Sequence, residues 1–274
     1  MARVRLDKRL VDLGHCESRT QAVDVIERGL VLVNGAIASK VTRQVDVGDQ
    51  IVITDDQHHY VSRGAYKLLG ALDTFEIDVA RRFGVDAGSS TGGFSEVLLE
   101  RGAAGVLCVD VGTHQLHERI RSNERVVVRE ETNVKDVTPE LAAQWLQPSK
   151  PIDLVVGDLS FTSLEPLMPA LVALAGDAGD LILLAKPQFE VGKAVASKGK
   201  GVIRHRNDRR AGIERVVSAV SSQNAGIMGV MASPIRGTAG NAEFLLWVKP
   251  RASHVVDLDA KVERALDAVD DGNA

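Results

Sequence analysis

Cysteines, metal-ligand clusters and long apolar runs are all scarce in this chain. Its two cysteines, Cys16 and Cys108, stand in unrelated contexts, which argues against a disulfide framework or a zinc site and favours reduced thiols. No apolar run approaches the roughly 20 residues that a membrane-spanning helix needs. Residues 1–8 are charged and lack the apolar core of a signal peptide. Together these absences predict a cytoplasmic protein.

The histidines also lack a metal-binding pattern. Five of them show no ligand spacing with carboxylates, namely His58, His59, His114, His117 and His205. We therefore predict no metal site. The 274 residues are 45% hydrophobic and 26% charged, with a net charge of -4 and a mean hydropathy of -0.01. This composition is typical of a compact enzyme with one large domain and one small one.

The N-terminal region has the pattern of a small α+β module. Two helices are predicted, over residues 6–13 with Gly14 as C-cap and over residues 18–26, and strands follow at 30–33 and within 45–53. A polar stretch then separates this module from the rest of the chain. We predict a domain of residues 1–57, a linker of residues 58–62 and a second domain of residues 63–274.

Positive charge is concentrated at the N-terminus of an otherwise acidic chain. Residues 1–45 contain eight basic residues against five acidic ones. The sequence there resembles the RNA-binding domain shared by a small-subunit ribosomal protein, pseudouridine synthases and tyrosyl-tRNA synthetase. A solvated helix face is the alternative, but the basic cluster favours contact with RNA phosphates. The candidate RNA-binding residues here are Arg3, Arg5, Lys8, Arg9 and Arg19.

From residue 83 onward the chain alternates between apolar strands and helices. Strands are predicted at 83–87, 105–110, 126–129, 153–157 and 180–185, with helices at 92–101, 114–121, 138–146 and 164–175. Such alternation predicts an α/β fold with a parallel sheet covered on both faces. The chain ends with a helix at 207–224, strands at 227–231 and 243–248, and a helix at 257–269. The two last strands predict the antiparallel hairpin that distinguishes a Rossmann-like methyltransferase sheet from the dehydrogenase type.

A glycine-rich segment joins the first strand of this sheet to its helix. In Asp86-Ala-Gly-Ser-Ser-Thr-Gly-Gly-Phe94, the glycines allow the backbone to approach a ligand. Ser90 replaces the second glycine of the dinucleotide motif, which favours the amino-acid end of S-adenosylmethionine over a pyrophosphate. Asp110 follows at the spacing of an acid that binds ribose hydroxyls. The predicted cofactor-binding residues are Asp86, Gly88, Ser89, Ser90, Thr91, Gly92, Gly93, Phe94, Asp110, Asn133 and Asp158.

Four ionisable residues fall where an α/β sheet brings them to one cleft. Asp158 and Lys186 follow the ends of buried strands, Lys67 lies on the helix that opens the second domain, and Glu243 begins the last strand. Open parallel sheets bind ligands at the carboxyl ends of their strands. To accept a proton, Lys186 must be desolvated or lie near another cation, which Lys67 could supply. This set suggests methyl transfer to a ribose hydroxyl.

A second basic region follows the Lys186 strand. Residues 193–215 carry eight basic residues against two acidic ones, with several glycines among them. We predict a loop at the mouth of the cleft that holds substrate phosphates, with a solvated flexible loop as the alternative. The candidate RNA-binding residues in it are Lys193, Lys198, Lys200, Arg204 and Arg206.

Several segments together resemble the TlyA (hemolysin A) family of ribosomal RNA cytidine 2′-O-methyltransferases. They are Val61-Ser-Arg-Gly-Ala-Tyr-Lys67, the glycine-rich segment, Gly157-Asp-Leu-Ser-Phe161, Lys186-Pro-Gln-Phe-Glu-Val-Gly-Lys193 and Gly240-Asn-Ala-Glu-Phe244. The resemblance implies an RNA-binding N-terminal domain, an FtsJ-like methyltransferase domain using S-adenosylmethionine, and Lys67, Asp158, Lys186 and Glu243 as the catalytic set. The linker departs from the family, since His58-His-Tyr-Val61 stands where relatives carry a basic step.

The resemblance also bears on the substrate. Longer members of this family modify RNA of both ribosomal subunits, and their loss alters sensitivity to capreomycin. The extra N-terminal residues and the tail 251–274, which the sheet does not require, match the longer type. We therefore expect 16S and 23S RNA, within 30S and 50S subunits, to be substrates. The alternatives are a membrane-active hemolysin, a nucleotide-dependent oxidoreductase and an RNA-binding protein without catalysis.

Overall fold

The chain folds into two compact units, residues 1–59 and residues 60–270. The computed structural model describes residues 3–27, 29–34, 36–38, 40–53, 60–199, 201–237 and 239–270. The predicted linker residues His58 and His59, together with Lys200, lie outside these ranges.

The first unit contains a helix pair and short strands. Its elements are β1 (Val4–Arg5), α1 (Leu6–Asp12), α2 (Arg19–Glu27), β2 (Val31–Val33), β3 (Ala36–Ile37), β4 (Gln44–Val45) and β5 (Ile51–Ile53). Strand β1 pairs with β4, and β2 lies between β3 and β5, all antiparallel. Gly14 has a φ of 72° and donates its N–H to Val11 O, which confirms the predicted C-cap region of α1. Leu6, Leu10, Ile26 and Val31 are buried in its core.

The second unit begins with a helix and five parallel strands separated by helices. Its elements are α3 (Gly64–Phe75), β6 (Phe83–Ala87), α4 (Gly93–Glu100), β7 (Gly105–Val109), α5 (Glu118–Arg121), β8 (Val126–Arg129), α6 (Pro139–Leu146), β9 (Leu154–Gly157), α7 (Met168–Ala175) and β10 (Asp180–Ala185). Short 3₁₀ turns lie at Val134–Asp136 and Glu165–Leu167. All residues of β7, β9 and β10 are buried, as expected for strands covered on both faces.

The chain then forms helices and an antiparallel hairpin. The elements are α8 (Pro187–Glu190), α9 (Lys193–Lys198), α10 (Arg206–Ser221), β11 (Ala225–Ala232), β12 (Phe244–Pro250) and α11 (Leu258–Asp270). Among the described residues, the sheet has the order β11-β12-β10-β9-β6-β7-β8, and β12 runs antiparallel to both its neighbours. The predicted methyltransferase-type hairpin and the α/β fold class are confirmed.

Three predictions about this unit are wrong in detail. Residues 114–117 of the predicted helix 114–121 are not helical, because Glu130 Oε1 accepts the N–H groups of Gln115 and Leu116 at 3.0 and 3.4 Å. The predicted basic loop 193–215 contains the helix α9, which was not predicted, while α10 (Arg206–Ser221) confirms the helix predicted at 207–224. The tail that was taken as dispensable to the sheet packs on it, since α11 buries Val262 and Leu266.

Ion pairs between α10 and α11 explain the last of these differences. Arg206 of α10 contacts Glu263 at 2.5 Å, Asp267 at 2.8 Å and Asp270 at 2.7 Å, all on α11. Arg210 also contacts Glu263. The acids of α11 thus neutralise the basic face of α10 and fix both helices.

At the opposite edge of the sheet from the strand carboxyl ends, Arg82 joins three strands. Its Nε donates to Asp153 Oδ1 at 3.1 Å and its Nη1 donates to Asp180 Oδ2 at 2.9 Å. Asp180 also accepts the indole N–H of Trp247 at 2.7 Å. The amino ends of β6, β9 and β10 and the side chain of Trp247 in β12 are therefore held by one arginine and its carboxylates.

We expect Arg82→Ala to lower the free energy of unfolding by about 3 kcal/mol, because the largely buried Asp180 loses its main cation. Arg101→Ala is the matched control, since its pair with Asp73 has side-chain exposures of 40% and 56% and should contribute about 0–1 kcal/mol. Urea unfolding of both variants measures the difference. Equal losses in the two would contradict the role assigned to Arg82.

Candidate active site

The four ionisable residues predicted to share a cleft come together in the second unit. We call Lys67, Asp158, Lys186 and Glu243 the charged quartet. Lys67 lies on α3, Asp158 directly follows β9, and Lys186 directly follows β10. Because β12 is antiparallel to β10, with Phe244 opposite Ala185, Glu243 reaches the same edge from the start of its strand.

Each member of the charged quartet contacts a member of opposite charge. Lys67 Nζ lies 2.8 Å from Glu243 Oε2 and 3.1 Å from Asp158 Oδ2. The other oxygen of Asp158, Oδ1, lies 2.6 Å from Lys186 Nζ. The order of charges is therefore Glu243, Lys67, Asp158, Lys186, with Asp158 shared between the two lysines.

Burial makes these contacts strong. Lys67, Lys186 and Glu243 are 8%, 5% and 4% exposed. Burial alone would lower the pKa of Lys67, but the carboxylates of Asp158 and Glu243 outweigh it and raise that pKa. Burial would likewise raise the pKa of Asp158, yet the two lysines lower it. Lys67 and Asp158 are thus held in their charged forms.

Lys186 has a further polar partner that sequence reasoning did not find. Its Nζ donates to Ser160 Oγ at 2.6 Å, and it lies 5.9 Å from the centre of the Phe189 ring. A neutral amine has two N–H groups and one lone pair, so contacts with Asp158 and Ser160 leave the lone pair for a third group. Lys67, the cation that the sequence suggested near Lys186, contacts the other oxygen of the shared Asp158.

The glycine-rich segment, here called the glycine loop (residues 86–94), turns tightly from β6 into α4 beside the charged quartet. Gly88 has a φ of 79°, and a Cβ there would lie 3.1 Å from Asp158 O. The backbone of the loop therefore approaches the Asp158 segment too closely for a side chain. Gly92 also has a positive φ, of 96°, at the N-cap of α4.

Asp110 fixes the outer side of the glycine loop. Its Oδ2 accepts the N–H of Ser90 at 2.8 Å, and its Oδ1 accepts the N–H of Gly112 at 2.7 Å. Ser90 itself has a φ of 45°, a conformation that few side chains adopt. Asp110, the acid predicted to bind a ribose, therefore also fixes the conformation of the glycine loop.

Asp86 lies beneath the loop rather than on a cavity wall. It is fully buried, and its Oδ2 accepts the hydroxyl of Ser95 at 2.6 Å. Ser95 Oγ also lies 3.0 Å from Cys108 Sγ. Burial raises the pKa of Asp86 to about 7, against the opposing hydrogen bond of Ser95. The direct contact with cofactor expected of Asp86 stays a prediction.

Two adjoining cavities open at this edge of the sheet. The acceptor cavity has a volume of about 490 Å³ and contains the charged quartet in its wall. The cofactor cavity has a volume of about 500 Å³ and contains Asp110 and Asn133. The two share five wall residues, namely Gly88, Ser90, Asp158, Ser160 and Phe161. Ser89, Thr91, Gly93 and Phe94 line the acceptor cavity alone.

Phe161 lines both cavities, and no role was predicted for it from the sequence. Its side chain is 93% exposed, its φ is 65°, and its ring lies 5.9 Å from that of Phe189. A large apolar side chain in this backbone conformation, presented to solvent between two cavities, fits contact with a ligand rather than the core. The position directly after Asp158-Leu-Ser was the only signal for it.

The predicted RNA-binding residues of the first unit have the following partners. Arg3 pairs with the exposed Asp46 at 3.2 Å, and Arg9 donates to Val47 O at 3.3 Å. Arg5 and Arg19 share Asp7, while Lys8 is exposed.

In the second unit, Lys193 and Lys198 begin and end α9, and Lys200 lies outside the described residues. Arg204 is exposed, and Arg206 forms the ion pairs with α11. RNA contact by all these residues stays a prediction.

The described residues contain neither a candidate metal site nor a candidate membrane-spanning helix. No cluster of three or more His, Cys, Asp or Glu side chains in that part of the chain could hold a metal ion. None of its helices is both long and apolar enough to cross a membrane.

Comparison with known families and proteins gives a consistent result. The FtsJ-like methyltransferase family matches residues 60–250, and the S4 domain matches residues 4–51. The 16S/23S rRNA (cytidine-2′-O)-methyltransferase TlyA of Mycobacterium tuberculosis is 43% identical over 268 residues, which are 96% of this chain and 97% of that protein.

Two solved structures are also similar over much of the chain. A hemolysin from Streptococcus thermophilus is 32% identical with a TM-score of 0.72, covering 99% of this chain and 98% of that one. A hemolysin from Lactococcus lactis is 36% identical with a TM-score of 0.70, covering 77% of this chain and 98% of that one.

The raised pKa of Asp86 makes stability depend on pH. Because the folded state keeps a proton that the unfolded chain loses near its ordinary pKa, stability falls as pH rises from about 4 to about 7. Asp86→Asn mimics the protonated acid, so we expect the variant to gain stability relative to the natural chain over that window, by up to roughly 4 kcal/mol. Urea unfolding at several pH values measures this. A stability difference that stays constant across this pH window would contradict the raised pKa of Asp86.

Proposed function

The chain belongs to the FtsJ-like methyltransferase family, and from that premise we propose that it transfers methyl groups from S-adenosylmethionine to cytidine 2′-hydroxyls of ribosomal RNA. RNA as the substrate is supported by the S4 domain and by the rRNA methyltransferase relative. The observation that carries the chemistry is the charged quartet, buried in the wall of a cavity that adjoins the glycine loop.

The residues present fit S-adenosylmethionine in the cofactor cavity. Gly88 exposes bare backbone where the two cavities meet, and Asp110 and Asn133 offer polar atoms to a nucleoside in the wall beyond. When bound, S-adenosylmethionine supplies an electrophilic methyl group on a sulfonium. The wall residues that the two cavities share, among them Asp158 and Ser160, would then lie beside the point where the methyl group meets the acceptor hydroxyl.

Lys186 is the proposed proton acceptor. Asp158 and Ser160 take its two N–H groups, so the lone pair of the neutral amine can accept the proton of a ribose hydroxyl in the acceptor cavity. Lys67 does not contact Lys186; it holds Asp158 in position, and Glu243 balances the charge of Lys67. Fixing the hydroxyl in line with the methyl group supplies most of the rate enhancement.

Phe161 is suited to hold the nucleotide. Its exposed ring, beside that of Phe189, offers an apolar face at the boundary of the two cavities. Aromatic side chains commonly stack on unpaired bases of RNA. A ribose can enter the acceptor cavity only if its base lies outside the helical stack, so a stacking residue at the rim is expected.

Lys186→Ala should abolish methylation while leaving S-adenosylmethionine affinity and the unfolding temperature nearly unchanged. We expect a loss of about 10²–10⁴-fold, as for removal of a general base. Transfer of labelled methyl groups to ribosomal RNA gives the rate, and calorimetry gives cofactor affinity. Lys249→Ala, on β12 at the other end of the sheet from the cavities, is a matched control. Activity retained in the Lys186 variant removes this lysine from the mechanism.

We also propose that RNA of both ribosomal subunits is methylated. The relative from M. tuberculosis, whose name includes 16S and 23S rRNA, aligns over 97% of its length. Mapping of 2′-O-methyl groups after incubation with separate 30S and 50S subunits is expected to find a modified cytidine in each. Modification confined to one subunit rejects this proposal and leaves the enzyme class standing.

The methyl-transfer assay and calorimetry also distinguish the alternative functions from the proposed one. A membrane-active hemolysin or an RNA-binding protein without catalysis transfers no methyl group to ribosomal RNA. An oxidoreductase binds a nicotinamide nucleotide in preference to S-adenosylmethionine, which calorimetry with both ligands detects.

A further inference from the structure

Asp7 is a buried acid in the middle of the basic surface of the first unit. It lies in the first turn of α1 and is 1% exposed. Its Oδ1 accepts the N–H of Lys8 at 2.9 Å, which uses only part of its capacity to accept hydrogen bonds. A negative charge here is unexpected on electrostatic grounds, because a surface that binds RNA phosphates gains affinity from positive charge.

Two arginines from different elements converge on this carboxylate. Arg5, at the end of β1, donates Nε to Oδ1 at 3.0 Å and Nη2 to Oδ2 at 3.1 Å. Arg19, at the start of α2, donates Nη2 to Oδ2 at 2.5 Å. The hydrogen bond from Arg5 is the largest cause that lowers the pKa of Asp7 to about 2, with a further contribution from Arg19. The acid is therefore ionised at every pH at which RNA is intact.

The two guanidinium groups remain available to a ligand. The side chains of Arg5 and Arg19 are 44% and 62% exposed, in contrast to the carboxylate between them. Each guanidinium has five N–H groups. In the described part of the chain, Asp7 takes two from Arg5 and one from Arg19, so most of their donors point elsewhere.

Other arginines of the same unit are held differently. Arg3 pairs with Asp46, and the two side chains are 68% and 40% exposed. Such an exposed pair contributes little to stability and restrains neither side chain strongly. Asp7 differs because it is buried and receives a two-bonded contact, which fixes the plane as well as the position of the Arg5 guanidinium.

We infer that Asp7 is a positioning residue for RNA binding, which holds Arg5 and Arg19 as a fixed pair of phosphate donors. The inference rests on the proposed RNA-binding role of residues 1–57. Long arginine side chains lose rotamer freedom when they bind a phosphate, and this loss weakens binding. Asp7 removes much of that freedom before RNA arrives, and this gain exceeds the repulsion between its charge and the phosphates.

The test depends on whether removal of the negative charge of Asp7 strengthens or weakens RNA binding. Asp7→Asn removes a negative charge, so by electrostatics alone it should tighten RNA binding. If Asp7 positions the arginines, the same change should weaken binding by about 3- to 10-fold, within the range of couplings between residues of one network. Affinity of the full chain for protein-free 23S rRNA is measured at fixed salt, and circular dichroism with thermal unfolding establishes that the variant is folded.

Asp12→Asn is the matched control, because Asp12 is an exposed acid on the same helix and the charge change is identical. We expect its affinity to be unchanged or slightly higher. In an Arg5→Ala/Arg19→Ala background, Asp7→Asn should have no further effect on affinity. If Asp7→Asn unfolds the first unit, Asp7→Glu keeps the charge but moves the carboxylate by one methylene, and it should also weaken binding.

The results test the positioning role of Asp7 and the RNA contact of Arg5 and Arg19 separately. A folded Asp7→Asn chain that binds RNA as tightly as the natural chain, or more tightly, overturns the positioning role and leaves the RNA-binding surface intact. If Arg5→Ala/Arg19→Ala leaves the affinity unchanged, the proposed RNA contact of these arginines fails, and the inference about Asp7 fails with it.

Discussion

The carboxylate of Asp158, shared between Lys67 and Lys186, is the contact on which the site depends. Two unit charges about 4 Å apart interact by about 4 kcal/mol at an effective dielectric constant of 20. Without Asp158, two buried lysines would lose the carboxylate that they share. Asp158 offsets the charge of both and places one oxygen beside each nitrogen.

The strand order and strand directions of the sheet bring the charged quartet together. Asp158 and Lys186 follow parallel neighbours β9 and β10, so they reach one edge together. Glu243 precedes its strand, and it reaches that edge only because β12 runs the other way. A wholly parallel sheet would deliver the start of its last strand to the opposite edge, where Arg82 lies with Asp153 and Asp180. Lys67 would then lack its second carboxylate.

The sequence allowed strand-end residues to be predicted, but not their contacts. Apolar strands with a charged residue at the end, such as Leu183-Leu-Ala-Lys186, identify the edge to which a side chain is delivered. They do not reveal that Asp158 separates the lysines or that Ser160 contacts Lys186, because both depend on loop conformation. The ion pairs of the basic segment 193–215 could not be predicted for a related reason. The acids that neutralise Arg206 lie 57 or more residues later, on α11, so the segment read alone is basic and glycine-containing.

Each unit contains a carboxylate that contacts two cations. Asp7 and Asp158 have this arrangement in common, yet the exposure of the cations differs. Arg5 and Arg19 extend into solvent, with side chains 44% and 62% exposed, whereas those of Lys67 and Lys186 are 10% and 7% exposed. Exposed guanidinium groups keep free donors for phosphates and remain charged throughout. Buried amines can lose a proton when the surroundings change, which chemistry on a hydroxyl requires. The choice of arginine or lysine beside an aspartate thus distinguishes the proposed RNA-binding surface from the proposed site of methyl transfer.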